Sequence, residues 1–347
     1  MKLHRLHMLL PLLVVGLAEA DISLSGVEIY SGEPVRYGRW EIRMKAAATP
    51  GSVSSFFTYY PDSYKGSPTP WREIDIEVLG NKPNGFQSNL ITGIAAKKNT
   101  SETYHASAVD LSQGFHTYVL DWTPDSIVWR IDGQTVRSTS TQQTKDLQDS
   151  LETYRMNVWA SNASDWVGAL DTAKLPILQV VNWMAYSAYT PGAGPNGSNF
   201  TQSWVDDFTT LNRNRWSFGN WTFESNYATF TASNAKVING YLVMMLSTKA
   251  KTGVFPSVLP TDSLGSTRPI APSAISSRAA TTGSLQAHAL GQGRLGLTVP
   301  QGGAVVCDSQ GRVLARAAQV GETTLSGFAH GVVYVHAGAE TRAVLID

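Results

Sequence analysis

The 347-residue chain carries 27 lysines and arginines against 27 aspartates and glutamates, so its formal charge is zero and neither nucleic acid nor an anionic surface is expected as its main partner. One cysteine, Cys307, excludes an intramolecular disulfide. Ten tryptophans and thirteen tyrosines offer flat apolar surface with polar edges, suited to filling a core and to stacking on the rings of a neutral ligand such as a sugar.

Residues 1–20 read as a signal peptide, with a basic start at Lys2 and Arg5, an apolar run from Met8 to Leu17, and Ala18-Glu19-Ala20 as the cleavage region. No later run reaches the roughly 18 apolar residues of a membrane span. The mature chain is therefore expected to start near Asp21 and to be secreted, to the extracellular space or the cell surface.

From about Val27 to Tyr189, short runs rich in Val, Ile, Tyr, Phe and Trp are broken by Gly, Pro, Asn and Asp. Gly38 to Met44 is one such run. Another, Glu73-Ile74-Asp75-Ile76-Glu77, puts three carboxylates on one face of a strand and Ile74, Ile76 and Val78 on the other. Two neighbouring acids can divide labour, one ionised as nucleophile and one kept protonated as proton donor, which is the minimum equipment for cleaving a glycosidic bond. A straight strand holds the α-carbons of Glu73 and Glu77 about 13 Å apart. Side chains leaning together across a twisted sheet would close to the roughly 5–5.5 Å of a retaining pair, and about 6.5–9.5 Å would suit inversion, so spacing leaves both open. The plain alternative is the solvated face of an amphipathic strand. Against it stand the mutual repulsion of three like charges and the aromatic lead-in of Trp71-Arg72.

His116 to Trp122 and Ile127 to Ile131 read as strands, the latter turned by Asp132-Gly133. Long helical periodicity is scarce, so the fold class is all-β, a two-sheet sandwich. Gly192 to Ser198, rich in Gly, Pro and Asn, reads as a linker. Beyond it Trp204 to Phe208, Trp221 to Phe223 and Gly240 to Leu246 read as further strands of one body spanning 21–249, since some fifty residues make a marginal core alone. Residues 250–292 lose the strand pattern and read as a linker, and 293–347 as a small β module holding a buried, inert Cys307. A monomer is expected.

The run Trp71-Arg72-Glu73-Ile74-Asp75-Ile76-Glu77 resembles the signature of glycoside hydrolase family 16, with a likeness over roughly residues 22–248. This implies a concanavalin A-like β-jelly-roll sandwich with a substrate cleft across its concave sheet. A single residue between Asp75 and Glu77 resembles lichenases and xyloglucan-modifying members; laminarinase-type members usually insert one more, a β-bulge. The stretch from Asp206 to Leu242 follows Gly192 here, whereas its like precedes the catalytic strand in most lichenases. The order thus resembles circularly permuted 1,3-1,4-β-glucanases of the family, with matches at Val53-Ser54-Ser55, Glu77-Val78-Leu79-Gly80, Phe86-Gln87-Ser88-Asn89 and Lys174-Leu175-Pro176.

On that resemblance Glu73 is the nucleophile and Glu77 the acid/base. Asp75, between them, can hydrogen-bond Glu73 and favour a protonated Glu77, the three titrating as a coupled set. The implied substrate-binding residues are Phe57, Tyr59, Trp71, Gln87, Asn89, Arg155, Asn157, Trp159, Trp166 and Trp221. Each is also a packing candidate, Phe57 and Tyr59 most evenly, while Arg155 and Asn157 alternating beside Trp159 point to a cleft. Tyr60-Pro61-Asp62 departs from the permuted pattern, which has an Asn there. No cofactor is implied for catalysis. A structural calcium is implied at Asn182, Asp207 and Gly240, where one carboxylate with carbonyls and waters suffices for a hard cation; Asp207 capping a turn is the alternative.

The implied activity is that of a secreted, retaining endo-1,3-1,4-β-D-glucanase, a licheninase acting on mixed-linkage β-glucan. Another family 16 β-glycanase, on laminarin, xyloglucan or galactan, and a non-catalytic glucan-binding lectin are the alternatives. The terminal module, through Asp308-Ser309-Gln310-Gly311-Arg312, Leu325-Ser326-Gly327-Phe328 and Gly331-Val332-Val333-Tyr334, resembles the C-terminal sorting domains of type IX secretion cargo, which implies secretion machinery as a partner. A sugar-binding accessory module is the other reading, with Tyr334 as its stacking aromatic.

Overall fold

The computed structural model describes residues 23–262 and, beyond them, 286–291, 294–299, 304–308, 313–317, 321–328, 331–337 and 340–346. The expected signal peptide and residues 263–285 of the expected linker lie outside the described residues.

Short runs rich in β-branched and aromatic residues form the strands β1 (Leu24–Ser31), β2 (Gly38–Lys45), β3 (Ser52–Tyr59), β4 (Glu73–Leu79) and β5 (Gly85–Ile94), followed by the exposed β6 (Lys97–Thr100). They continue as β7 (Thr103–Ala106), β8 (His116–Trp122), β9 (Ile127–Ile131), β10 (Gln134–Thr139), β11 (Thr153–Ala160) and β12 (Ile177–Tyr189). β13 (Phe200–Asp206), β14 (Trp216–Phe218), β15 (Ala228–Phe230), β16 (Ala235–Ile238) and β17 (Tyr241–Thr248) complete this body.

The strands build the expected all-β sandwich. In one layer β14, β1, β11, β3, β4 and β5 pair antiparallel in that order, with β6 and β7 both on the outer side of β5. In the other, β10, β9, β8, β2 and β12 pair in order, and the far side of β12 takes β17 along its first half and β13 along its second. The start of β1 pairs with β15 and β17 and joins the layers.

Alternation sets what lies between them. Phe56, Ile74, Ile76 and Val78 from the first layer meet Trp40, Ile42, Met44, Tyr118, Leu120, Trp122 and Trp129 from the second, all buried in one cluster. At about 1.5–3 kcal/mol for each large side chain removed from water, this core dominates the stabilisation and fixes the face that β4 turns outward.

Three sequence expectations change in this body. Gly192 to Ser198 is the loop of the β12–β13 hairpin rather than a linker, because the strands on either side pair directly. Trp221 to Phe223 forms no strand; its rings pack instead, Trp221 on Tyr30 and Phe223 on Trp159. The body also runs past residue 249: Phe255 and Leu259 pack on a buried cluster of Phe115, Val180 and Val243, and Asp262 forms an ion pair with Arg43 at 2.8 Å.

Toward the C terminus, Gln286–Gly291, Arg294–Val299 and Gly321–Ser326 pair in one sheet, so a strand stands where the end of the linker was expected, and Val313–Ala317, Ala304–Asp308, Gly331–Ala337 and Glu340–Ile346 pair in another. Their inward residues, among them Leu295, Leu297, Val306, Val335 and Ile346, form a separate core cluster, and Cys307 is buried.

Candidate active site

With Ile74, Ile76 and Val78 in the core, β4 turns Glu73, Asp75 and Glu77 to the opposite face of its sheet. Across the ladder Glu73 lies opposite Tyr59 and Ile91, Asp75 opposite Phe57 and Asn89, and Glu77 opposite Ser55 and Gln87. Asp75 is buried, 4 % exposed, while its two neighbours are partly exposed. The Trp71 indole N–H donates to Glu73 Oε2 at 2.6 Å. From the other layer, the Trp129 indole N–H donates to the backbone carbonyl of Asp75 at 3.0 Å and ties the acid-bearing strand to the core. Gly80 ends the strand where a Cβ would stand 1.8 Å from the Thr49 carbonyl oxygen, so no larger residue fits.

The three acids titrate together. Desolvation raises Glu73 to about 7, opposed by the Trp71 hydrogen bond and by the positive charges of Lys98 and Arg155. Glu77 is pushed up to about 8 by desolvation and by the negative charges of Glu73 and Glu102. Asp75 is held well above the usual carboxylate range by desolvation and by the charges of Glu73, Glu77 and Glu152. The division favours the anion at Glu73, which has a hydrogen-bond donor and two cations, and the proton at Glu77, where burial and both neighbouring negative charges favour the neutral acid.

All ten residues expected to bind substrate surround this strand. Phe57 and Tyr59 stand on β3, Gln87 and Asn89 on β5, and Arg155, Asn157 and Trp159 on β11, each in register on the face of the acids. Trp166 donates through its indole N–H to Gln87 Oε1 at 3.1 Å and packs on Trp159 with ring centres 6.0 Å apart. Trp221 packs on Tyr30, and Trp71 meets Tyr59 edge to face at 5.7 Å. Phe57, at 8 %, and Trp159, at 6 % exposure, give most of their surface to packing; Trp71, Arg155, Trp166 and Trp221 keep more of theirs open.

Four charged residues of this neighbourhood were not legible beforehand. Glu28 on β1, 2 % exposed, accepts from Arg155 Nη1 at 2.9 Å and Asn157 Nδ2 at 3.2 Å, fixing two expected sugar contacts at once. Burial raises its pKa, against the pull of Arg155 and Asn157. Glu102 accepts from Gln87 Nε2 at 3.0 Å. Glu152, fully buried on the core side of the sheet, accepts from Thr58 and Ser150 at 2.5 and 2.9 Å. Lys98 on β6 places its ammonium 3.3 Å from the centre of the Trp71 ring. An acid between apolar neighbours, as in Val27-Glu28-Ile29, was a signal for Glu28; nothing local marks the others.

The expected calcium residues lie on neighbouring strands of the second layer, Asn182 within one and Asp207 and Gly240 at the ends of two others. Asn182 sits at an irregularity of β12, Asp207 follows β13, and Gly240 precedes β17, with Met184 opposite Asp206 and Val181 opposite Leu242. Asp207 Oδ1 accepts from the N–H and hydroxyl of Thr209, the turn-capping arrangement, and Asn182 Nδ2 donates to Asp262 Oδ2 at 2.9 Å. An amide, a carboxylate and a backbone carbonyl are oxygen donors of the kind a hard cation takes. Among the described residues no group of three His, Cys, Asp or Glu is placed to hold a metal.

Residues 13–184 match the family described as glycosyl hydrolases family 16. A beta-glucanase of Fibrobacter succinogenes is 45% identical over 227 residues, 65% of this chain and 65% of that protein. A beta-glucanase of Bacillus amyloliquefaciens is 38% identical over 151 residues, 43% of this chain and 59% of the relative. The chain thus spans less than two thirds of the length of these curated relatives. Among solved structures, a Bacillus licheniformis beta-glucanase aligns at 32% identity and a TM-score of 0.39, covering 46% of this chain and 70% of that one. With its acid strand inside the matched segment, the chain carries a domain of glycosyl hydrolases family 16.

Proposed function

We propose that this protein is a retaining endo-1,3-1,4-β-D-glucanase that hydrolyses β-1,4 bonds next to β-1,3-linked glucose in mixed-linkage glucan. The observation that carries the reading is the placement of Glu73 and Glu77 on one face of β4 in unlike surroundings, Glu73 gripped by the Trp71 N–H under Lys98, Glu77 opposite Gln87, whose amide is bound by Glu102. The beta-glucanase relatives support the substrate class.

In the first step the Glu73 carboxylate attacks the anomeric carbon, the glycosidic C–O bond breaks, and the Glu77 proton passes to the departing oxygen. A glycosyl ester on Glu73 and an ionised Glu77 result. In the second step Glu77 takes a proton from water, the oxygen attacks the same carbon, and Glu73 leaves as carboxylate, so two inversions retain configuration. Asp75, buried between them, is held well above the usual carboxylate range by burial and by the charges of Glu73, Glu77 and Glu152, so it keeps its own proton and leaves the anion to Glu73. Arg155, held by Glu28 and lying 4.6 Å from the Tyr59 ring centre, presents a fixed guanidinium to sugar hydroxyls beside open aromatic faces.

The pairing of β13 and β17 with β12, beyond the end of the family match, supports a permuted chain order within this reading. Export through the leader, with the terminal module as sorting signal, belongs to the same proposal, as does a monomer. Calcium at Asn182, Asp207 and Gly240 would tie neighbouring strands of the second layer together and supply no chemistry to the acids. Adding calcium to chelator-treated protein is then expected to raise Tm by a few degrees, following mass action on the folded state; an unchanged melt from micromolar to millimolar calcium would remove the site.

Product profiles on barley glucan, lichenan and laminarin test the substrate. The expected result is short oligosaccharides with a β-1,3 linkage at the reducing end from the first two and negligible release from laminarin. Equal or faster digestion of laminarin would replace the mixed-linkage assignment.

A further inference from the structure

Trp71 has two neighbours besides Glu73. Its ring edge meets Tyr59, with planes at 85°, and its face is covered by Lys98, whose Nζ stands 3.3 Å from the ring centre. The backbone supports this placement from both sides. Lys98 lies opposite Gly93 in the β5–β6 ladder, and Gly93 accepts at its carbonyl from the Trp71 backbone N–H at 2.8 Å. Gly93 has φ +93°, and a Cβ there would stand 2.4 Å from the Lys97 carbonyl, so the glycine permits the approach that brings Lys98 over the indole. Trp71 in turn donates to Glu73 Oε2.

We infer that Lys98 is a positioning residue for Glu73: its ammonium clamps the indole face of Trp71, fixes the N–H that grips the carboxylate, and supplies the cation that keeps it ionised. The inference rests on reading Glu73 as the nucleophile. The charged surroundings of Glu73 are otherwise mostly acidic: Asp75 and Glu77 on its own strand, Glu28 on β1 and Glu152 ahead of β11, with the Tyr59 phenol on β3. The other cation that lowers its pKa, Arg155 on β11, is bound to Glu28 at 2.9 Å. Burial lowers the pKa of Lys98, while Glu73 and Asp75 pull it back up, so the pair reinforce each other's charged forms. A cation stacked on an aromatic face gains from the ring quadrupole, which favours this position over a fully solvated one.

The direct test is a carbon-13 NMR titration of protein labelled at the glutamate side-chain carboxyl, with the Glu73 signal assigned by its loss in Glu73→Gln. In Lys98→Gln the Glu73 midpoint is expected to rise by roughly half a pH unit or more, the size left to a half-exposed cation after solvent screening. Lys98→Arg, which keeps both the charge and the stacking, should restore the wild-type midpoint. In parallel, the acid limb of kcat/KM against pH on barley glucan should move upward with Lys98→Gln and return with Lys98→Arg. A Glu73 midpoint unmoved in Lys98→Gln overturns the inference whatever the activity. A shifted midpoint in a protein that releases no sugar from any glucan upholds the action of Lys98 on Glu73 and sinks the hydrolase reading instead.

Discussion

Glu73→Gln is expected to lower kcat/KM on mixed-linkage glucan by at least about 10³-fold with no loss of fold, measured by reducing-sugar release alongside circular dichroism and thermal melting. The amide is nearly isosteric and its carbonyl still accepts from the Trp71 indole, so the local geometry survives. What is lost is the anion that forms the bond to the anomeric carbon, and no other carboxylate on this face replaces it. Asp75 is buried and keeps its proton more firmly, and Glu77 is needed as the acid. Activity within about tenfold of wild type would remove Glu73 from the mechanism.

Glu77→Gln is expected to cost about 10²–10⁴-fold on the polysaccharide, the usual worth of a positioned general acid, and much less on an aryl glycoside whose leaving group needs no proton. The wild-type protein is expected to show a bell with an acid limb near 7, where Glu73 takes up a proton, and an alkaline limb near 8, where Glu77 loses one, and the same variant should abolish the alkaline limb. It should also change stability with a definite sign. The Glu77 carboxyl binds its proton more tightly in the folded chain than its ordinary value of 4.5, so its favourable contribution is complete below that pH and is lost as pH rises through about 8. Removing the titration is therefore expected to raise Tm by a few degrees at pH 9 and leave it unchanged at pH 4. An equal loss on glucan and aryl glycoside, together with an unaltered bell, would show that Glu77 acts in some other way.

The acid strand was legible because one local rule, alternation, settles both faces of β4: Ile74, Ile76 and Val78 had to be buried, so the acids had to share the other side. The aromatic and amide residues around it followed from their match to the family pattern, and the register of β3, β5 and β11 puts them on that face. What stayed hidden depends on contacts between distant stretches of chain. Glu28 meets Arg155 across 127 residues, and Lys98 reaches Trp71 only because Gly93 bends the end of β5. Composition also misled at Gly192 to Ser198, since Gly, Pro and Asn serve a hairpin loop as well as a linker. At Trp221 to Phe223, aromatic β-propensity gave way to ring packing against Tyr30 and Trp159.

The central claim is a covalent bond between Glu73 and the anomeric carbon. Incubation with a 2-deoxy-2-fluoro glucan oligosaccharide carrying an activated leaving group slows both steps but the second more, and peptide mapping by mass spectrometry then locates any glycosyl adduct. The account predicts a single adduct on the peptide containing Glu73, absent in Glu73→Gln. An adduct on Glu77 or elsewhere, or none while the leaving group is released with inversion, would contradict it.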